Sequence, residues 1–304
     1  MPAAICAIFR TPARYRPARY RALPALAMLL VGLPALAADW PAGGRLPGTG
    51  GVTQLEGAAG GGLVPWALIA GYGTRDEIGG SVFYTAVSID DFTLASRGLA
   101  IGIHDRLELS FAEQRFGLGD TVPGEVIRMD TLGLKLKLAG DAVFDQDRWL
   151  PQLALGLQYK QNRDMTVPAA LGARDDSDVD AYLAASKLWL AGPLGRSLLA
   201  SVTLRATRAN QLGLLGFGGD RERRHRLMAE GSLAVLLHDR LAIGVEYRQK
   251  PDNLSAFAED DFADAFIAWF PHQRLSLTLA VADLGNIANQ RSQQGGYLSV
   301  QLNH

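Results

Sequence analysis

Apolar and polar residues alternate along most of the chain, in segments of about nine to twelve residues separated by turn-forming residues. The clearest segment runs from Trp149 to Lys160, where leucines and aromatic residues share one face and polar or small residues share the other. Similar alternation recurs at Leu198 to Arg208, Leu241 to Arg248 and Leu275 to Val281. Because successive side chains of a strand point to opposite faces, this pattern predicts an all-β protein.

Segment length separates the two folds that such alternation allows. In a soluble sandwich the apolar face is the core, whereas in a membrane barrel the apolar face meets lipid. Segments of about nine to twelve residues match a tilted membrane-spanning strand and exceed the usual five or six residues of soluble sheets. The sequence therefore predicts a transmembrane antiparallel up-and-down β-barrel.

The connections between the segments alternate between short and long. Three short turns share a His-x-Arg-Leu pattern, and their polar residues are His104, Asp105, Arg106, His238, Asp239, Arg240, His272, Gln273 and Arg274. Longer connections rich in glycine and charge lie between them, at Gly117 to Glu125, Gln161 to Asp178, Ala209 to Arg223, Lys250 to Asp261 and Gly285 to Gly295. This layout predicts short periplasmic turns and longer extracellular loops.

The segments between Gly79 and Leu302 predict about twelve strands. Val52 to Glu56 and Leu63 to Gly73 would raise the number to fourteen if they also joined the wall. Either even number returns both ends of the wall to the short-turn side. We expect one barrel domain over residues 51–304, preceded by a flexible lead-in over residues 38–50.

Residues 1–37 have the composition of a secretory signal peptide, because five arginines and no acidic residue precede an apolar stretch that ends in Ala35-Leu36-Ala37. We expect cleavage after Ala37, with a retained membrane anchor as the alternative. Removing the five arginines changes the formal net charge from −1 to about −6. This negative net charge excludes a basic surface for binding nucleic acid. The only cysteine, Cys6, leaves with the leader.

Several stretches of the chain resemble a proteobacterial family of outer-membrane β-barrel proteins that is catalogued as a domain of unknown function. The stretches that carry the resemblance are Leu63 to Trp66, Gly71 to Thr74, Asp145 to Pro151, Thr207 to Gln211, Gly216 to Asp220, Glu246 to Arg248 and Lys250 to Leu254. The resemblance implies a barrel in the bacterial outer membrane and no settled activity.

Charged and polar residues on the predicted inward face are the main candidates for function. They are Glu108, Gln114, Lys135, Lys137, Lys160, Arg205, Arg226, Glu230, Glu246 and Arg248. Two interpretations remain open: a salt-bridged network that fills a narrow barrel, or a wet pore whose charges tune selectivity. On the apolar face, Trp149, Tyr159 and Tyr247 are predicted members of an interfacial aromatic girdle.

The sequence lacks the common catalytic signatures H-E-x-x-H, G-x-S-x-G and a P-loop, and its histidines lack metal-ligand spacing. We therefore expect no enzyme activity, no cofactor and no metal. The first functional hypothesis is a passive porin-like channel for small solutes, with Lys135, Lys137, Arg205 and Arg248 as a basic cluster in the lumen.

Two further hypotheses compete with the channel. The second is a closed structural or adhesive barrel that acts through its long loops, notably Gln161 to Asp178 and Ala209 to Arg223. The third is an embedded lipid hydrolase, for which His225 is the one histidine expected near the outer rim. The expected partners are outer-membrane lipid, lipopolysaccharide and the outer-membrane assembly machinery.

Overall fold

A computed structural model describes residues 44–45, 48–190, 192 and 195–304. The predicted signal peptide and most of the predicted lead-in lie outside these residues. In the described part, the strands are β1 Val52–Thr53, β2 Ala59–Gly60, β3 Ile78–Ile89, β4 Thr93–Ile103, β5 Leu107–Gly117, β6 Val126–Ala139, β7 Gln152–Asn162, β8 Ser177–Trp189, β9 Ser197–Thr207, β10 Arg226–His238, β11 Leu241–Arg248, β12 Phe262–His272, β13 Leu275–Asp283 and β14 Gln294–Asn303. One short helix, Thr166–Ala170, lies between β7 and β8.

Strands β3 to β14 form a closed barrel in which each strand pairs antiparallel with its neighbours in sequence. The barrel closes between its last and first strands, with Ser299 opposite Thr85 and a hydrogen bond of 2.7 Å between their hydroxyl groups. Twelve wall strands confirm the sequence prediction. The even number brings the start of β3 and the end of β14 to the same end of the barrel, where Gly80 N donates to His304 O.

The alternative of fourteen wall strands is wrong, because β1 and β2 pair only with each other, inside the barrel. The region lacks the sustained alternation of a wall strand and carries clustered glycines instead. Those glycines let its backbone approach the wall closely. A Cβ atom at Gly61, for example, would overlap the carboxylate of Glu246 on β11.

Burial alternates along the wall strands, and the exposed set is the apolar one. Leucine, valine and isoleucine face outward on most strands, and β7 alternates from Gln152 to Lys160 between buried positions that are polar or small and more exposed positions that are apolar. The most exposed of these side chains include Val82, Leu132, Val202, Ile267, Leu279 and Val281. This is the arrangement of a transmembrane barrel rather than of a soluble sandwich. Among the described residues, no helix has the length and apolar character needed to cross a membrane.

The three His-x-Arg-Leu turns all lie at one end of the barrel, here called the short-turn end. In the first, His104 and Asp105 both have positive φ, of 54° and 48°, which is the geometry of a tight type I′ hairpin. In the second and third, His238 Nδ1 and His272 Nδ1 accept hydrogen bonds of 3.2 Å from the amides two residues later. These contacts give the histidines a structural role in the turns.

The opposite end, here called the long-loop end, carries the connections 118–125, 163–176, 208–225, 249–261 and 284–293. Two connections depart from the predicted sorting. Residues 90–92 make a short turn at the long-loop end, and residues 140–151 make a long connection at the short-turn end. Trp149 lies in that long connection and not at the start of a strand, since β7 begins only after Pro151, which has no amide to donate to a sheet.

Residues 49–73, here called the plug, are buried throughout and run inside the barrel. The plug enters and leaves at the short-turn end. Arg45 fixes its two arms there by donating to Thr49 O at 2.9 Å and to Ile69 O at 3.2 Å, and it also pairs with Asp105 at 3.1 Å. The barrel therefore has a wall of twelve strands and an interior filled by the segment that precedes them.

Candidate functional site: the occluded lumen

Eight of the ten predicted lumen residues have buried side chains inside the barrel. These are Glu108, Gln114, Lys135, Lys160, Arg205, Glu230, Glu246 and Arg248. Lys137 lies at the short-turn end, where it pairs with Asp105 at 2.7 Å and Asp141 at 3.3 Å. Arg226 is exposed, because it is the first residue of β10 and lies at the rim, where an inward register position is no longer enclosed. For Arg226 the predicted place inside the lumen is therefore wrong.

The carboxylate of Glu56, at the turn of the plug, lies among three cations of the wall. Lys160 on β7 contacts Oε1, and Arg248 on β11 contacts Oε2 at 2.6 Å. Arg205 on β9 lies 3.8 Å from Oε2. The side chain of Glu56 is fully buried. Three alternate strands of the wall therefore converge on one acidic residue of the plug.

Two acidic residues of the wall complete this group, here called the Glu56 cluster. Asp180 on β8 lies 2.6 Å from Lys160 and 3.5 Å from Arg205. Glu230 on β10 contacts Arg205 and lies 3.3 Å from Arg248. Three positive and three negative side chains therefore balance. Such pairing is required because an unpaired buried charge is strongly destabilising.

A second polar anchor holds the plug near the short-turn end. Lys135 Nζ donates to Ala59 O at 2.8 Å and to Leu68 O at 2.9 Å, and it pairs with Glu108 at 3.1 Å. Glu108 in turn accepts from Ala59 N at 3.1 Å and from Ala70 N at 2.9 Å. This ion pair on β5 and β6 therefore binds the backbone of the plug at two places, at Ala59 and at Leu68 to Ala70.

Other polar side chains of the wall also form hydrogen bonds with backbone groups of the plug. Leu55 O accepts from Ser96 and Gln114, Leu63 N donates to Glu246, Pro65 O accepts from Thr203, and Ala67 exchanges bonds with Gln152 and Ser186, at 2.6–2.8 Å. A short segment with little sheet of its own would otherwise leave buried N–H and C=O groups unpaired. The inward polar positions of the wall thus act as partners for the plug.

The remaining contact between plug and wall is apolar. Trp66 and Leu68 of the plug face inward side chains of β8 to β12, among them Leu199, Ala234 and Phe266, around a cavity of about 50 Å³. Trp66 also donates its indole N–H to Ser232 Oγ at 2.9 Å. This apolar contact lies toward the short-turn end and leaves free space beside the plug.

Long loops fold over the opposite end and close it with apolar side chains. The buried members of this cap are Leu212, Leu214, Leu215, Phe217, Leu254, Phe257, Leu284 and Ile287. Lys160 joins the cap to the Glu56 cluster, because its Nζ also donates to Leu212 O at 3.1 Å. The lumen is therefore occluded by the plug and covered by the cap.

One buried ion pair lies within the cap itself. Lys250 Nζ lies 3.0 Å from Glu259 Oε2, and both side chains are almost fully enclosed. Burial raises the pKa of Glu259 to about 7, although the charge of Lys250 opposes the shift. Burial likewise lowers the pKa of Lys250. The cap thus contains a carboxyl that titrates near neutral pH.

Sequence reasoning missed the central residue of the site, Glu56, and its wall partner Asp180. A signal for Glu56 was present: it is the only charged residue between Gly48 and Gly73. A lone charge in a glycine-rich segment without alternation fits neither a wall strand nor a solvated linker. Asp180 was hidden because β8 carries apolar side chains on both of its faces.

Two of the three predicted girdle residues face outward, and His225, the histidine considered for a lipid hydrolase, has polar neighbours. Tyr159 and Tyr247 face outward near the long-loop end, whereas Trp149 is almost fully exposed in the connection before β7. His225 lies 3.0 Å from Asp178 and contacts Val179 O at 3.2 Å. Within the described residues, no serine forms a hydrogen bond with His225, and no group of His, Cys, Asp and Glu could hold a metal ion.

Three solved structures are similar to this chain over most of its length. A "KdgM porin" structure has 10% identity, covers 73% of this chain and 98% of its own, and gives a TM-score of 0.47. The Acinetobacter baumannii outer membrane protein Omp33 has 7% identity, with 76% and 100% coverage and a TM-score of 0.44. Outer membrane phospholipase A from Escherichia coli has 10% identity, with 77% and 94% coverage and a TM-score of 0.40.

A search of curated proteins gives no match. The family described as "Protein of unknown function (DUF3034)" matches residues 49–301, a range that begins at the plug and includes the whole wall up to its last strand. The match extends over most of the sequence and confirms the resemblance seen in it. The chain belongs to this family.

Proposed function

We propose that the protein is a porin-like outer-membrane channel for small polar solutes, closed by its own plug. The observation that carries the proposal is the chemistry of the lumen wall. Lys135, Lys160, Arg205 and Arg248, together with their acidic partners, face the interior. A barrel filled permanently could use apolar side chains at lower cost, since buried ion pairs add little to stability. A charged wall is suited to water and solutes once the plug leaves.

The outer-membrane location belongs to the same proposal. The broad outward belt of leucine, valine and isoleucine supports it, because a soluble protein rarely exposes so large an apolar surface. We propose that the short-turn end, where the plug enters, is periplasmic, and that the capped end faces outward. Lipid, lipopolysaccharide and the assembly machinery are the partners that this location requires.

A disulfide lock tests whether plug movement opens the channel. Ala67 N lies 2.8 Å from Ser186 Oγ, so cysteines at these two positions, A67C and S186C, would tie the plug to β8. In planar bilayers, we expect the oxidised double variant to stay silent and the reduced protein to show discrete openings. Each single-cysteine variant is the matched control and should behave alike in oxidant and reductant.

The closed structural barrel is the competing function, and complete occlusion of the lumen favours it. The same recordings distinguish the two. Folding of each variant is checked by heat-modifiable gel migration. If the reduced double variant, the single variants and Glu56→Gln all fold yet never conduct, the plug is permanent and the channel proposal is wrong. His225 has no catalytic role in this channel, and its contacts are with Asp178 and a backbone carbonyl.

A further inference from the structure

The plug brings one charge into the lumen, and the wall is built around it. Glu56 is fully buried, and its two carboxylate oxygens are divided between different cations: Lys160 on Oε1, and Arg248 and Arg205 on Oε2. A planar group with two acceptor oxygens is the shape that a pair of guanidinium groups and an ammonium group recognise best. The wall therefore presents a carboxylate-binding site that Glu56 occupies.

Charge balance shows what the wall lacks when Glu56 is absent. Within the Glu56 cluster, the wall contributes Lys160, Arg205 and Arg248 against Asp180 and Glu230, so this group carries one positive charge in excess. The neighbouring wall carboxyl of Glu246 has its own partners, Ser232 and Leu63 N of the plug. A single negative charge restores neutrality, as Glu56 does in the closed barrel. This favours a monocarboxylate over a multiply charged anion, because a second negative charge would lie in the lumen without a matching cation.

We infer that the three cations Lys160, Arg205 and Arg248 form a binding site for a carboxylate group of the transported solute, which competes with Glu56 and releases the plug. The inference rests on the proposed channel function and names its solute class: small polar molecules that carry one carboxylate. Solute and Glu56 exclude each other from the site, so solute binding shifts the barrel toward the plug-released state.

The same contact transmits the change to the cap. Lys160 Nζ contacts Glu56, Asp180 at 2.6 Å and Leu212 O of the cap at 3.1 Å. When Glu56 moves away, this ammonium group loses one of its three partners and reorients toward the other two. A carboxylate at the site therefore acts on plug and cap through one side chain.

The test uses the full chain and two probes of similar size. Gluconate is a polyhydroxylated monocarboxylate, and sorbitol is its uncharged counterpart. Plug release is read from the rate at which a fluorogenic maleimide labels A67C, a position that is fully buried in the closed barrel, and channel opening is read from planar bilayers. We expect gluconate to speed the labelling and to raise the open probability of wild-type protein by about tenfold, while sorbitol has no effect.

Glu56→Gln is the decisive variant, because it keeps the shape of the side chain and removes its charge. We expect its plug to be released without solute, and we expect it to bind gluconate about tenfold more tightly than wild type since the competitor is weakened. Arg226→Gln, at the exposed rim, is the matched charge control and should respond as wild type does. If Glu56→Gln does not insert, the difference between gluconate and sorbitol on wild-type protein decides the question.

The outcomes separate this inference from the function on which it rests. Openings in the reduced A67C and S186C double variant, with identical responses to gluconate and sorbitol, would keep the channel and overturn the carboxylate site. A labelling response specific to gluconate without any conductance would keep the site and overturn the channel. A response to gluconate that persists unchanged in Glu56→Gln would also contradict competition at this site.

Discussion

The plug meets the barrel wall in two halves that differ in chemistry. Toward the long-loop end, Glu56 is held by Lys160, Arg205 and Arg248 in a dense group of buried charges. Toward the short-turn end, the Lys135–Glu108 pair holds plug backbone at β5 and β6, whereas along β8 to β12 Trp66 and Leu68 meet apolar side chains across a cavity of about 50 Å³; this apolar contact is here called the apolar half. One half is tightly paired and the other is loosely packed.

The difference separates two properties of a closed channel. Apolar burial supplies affinity that depends little on solute or charge, whereas a buried ion pair adds little net affinity but makes any loss of one partner costly. The apolar half should therefore set how firmly the plug rests in the barrel. The charged half should set what can displace it.

The largest effect is expected from breaking the charged half at its centre. Arg205→Met removes the cation that contacts Glu56, Asp180 and Glu230 and that lies over the ring of Tyr182 at 5.1 Å. Three carboxylates would then share two cations. We expect a loss of about 3–5 kcal/mol in the free energy of unfolding, measured by urea titration in detergent micelles with gel migration as the readout.

Arg226→Met is the control for that measurement, since Arg226 is an exposed arginine on the same barrel. Its effect should stay below about 1 kcal/mol. Equal losses in the two variants would mean that the Glu56 cluster contributes nothing specific to the folded barrel.

A smaller effect is expected from the apolar half. Leu68→Ala enlarges the cavity that Leu68 already lines and removes a buried side chain. We expect a loss of about 2–3 kcal/mol, at the lower end of the usual range because the side chain lines existing free space. Leu227→Ala, at an exposed position of β10, is the matched control and should lose less.

The two halves should also differ in how their variants respond to solute. A plug loosened by Leu68→Ala should open more often while keeping its preference for gluconate over sorbitol. If the preference disappears in Leu68→Ala, the assignment of selectivity to the charged half is wrong.

A third effect is expected from pH and concerns the cap above the charged half. The pKa of Glu259 is raised by burial from 4.5 to about 7, so the closed cap binds this proton more tightly than an open loop does. The stability of the closed cap should therefore fall as pH rises from 4.5 to about 7 and then level off. The lowered pKa of Lys250 acts with the opposite sign.

Amide hydrogen exchange of residues 250–261 measures this opening, after correction for the intrinsic effect of pH. We expect protection to decrease several-fold between pH 5 and pH 7 in wild-type protein. Glu259→Gln should abolish the dependence, and exchange in the plug half near Trp66 should not follow it. Greater protection at pH 7 than at pH 5 would contradict the proposed sign.

The wall could be predicted from the sequence because its rule is local. Each strand such as β7 alternates between lipid-facing and interior positions, and turns such as His104-Asp105-Arg106 mark one end. A period of two needs no knowledge of distant residues. The alternation of apolar and polar residues begins already at Trp149 and predicts a strand there. In the structure, Pro151 separates Trp149 from β7.

The interior could be predicted only in part because its contacts are between distant residues. The inward face of Lys160, Arg205 and Arg248 followed from their register positions, but their common partner, Glu56, precedes them by 104–192 residues. No periodicity connects such positions. The segment around Glu56 satisfies its backbone through wall side chains, so it carries no strong pattern of its own.

The smallest effect should come from filling the cavity in the apolar half. Ala234 on β10 lines this space of about 50 Å³ and is buried. Ala234→Val adds two methyl groups there, and at roughly 24 cal/mol per Å³ a complete fill would stabilise the barrel by up to about 1 kcal/mol. Steric conflict with Trp66 would reduce the gain, so the smaller valine is a better choice than leucine.

Filling the cavity should change how often the plug opens and leave unchanged which solute opens it. Ala234→Val should lower the spontaneous opening of the plug in planar bilayers and leave the relative effect of gluconate unchanged, because the Glu56 cluster is untouched. Ala229→Val, at a less enclosed position of the same strand, serves as the control for strand propensity. A change in gluconate preference without a change in spontaneous opening would reverse the roles assigned to the halves.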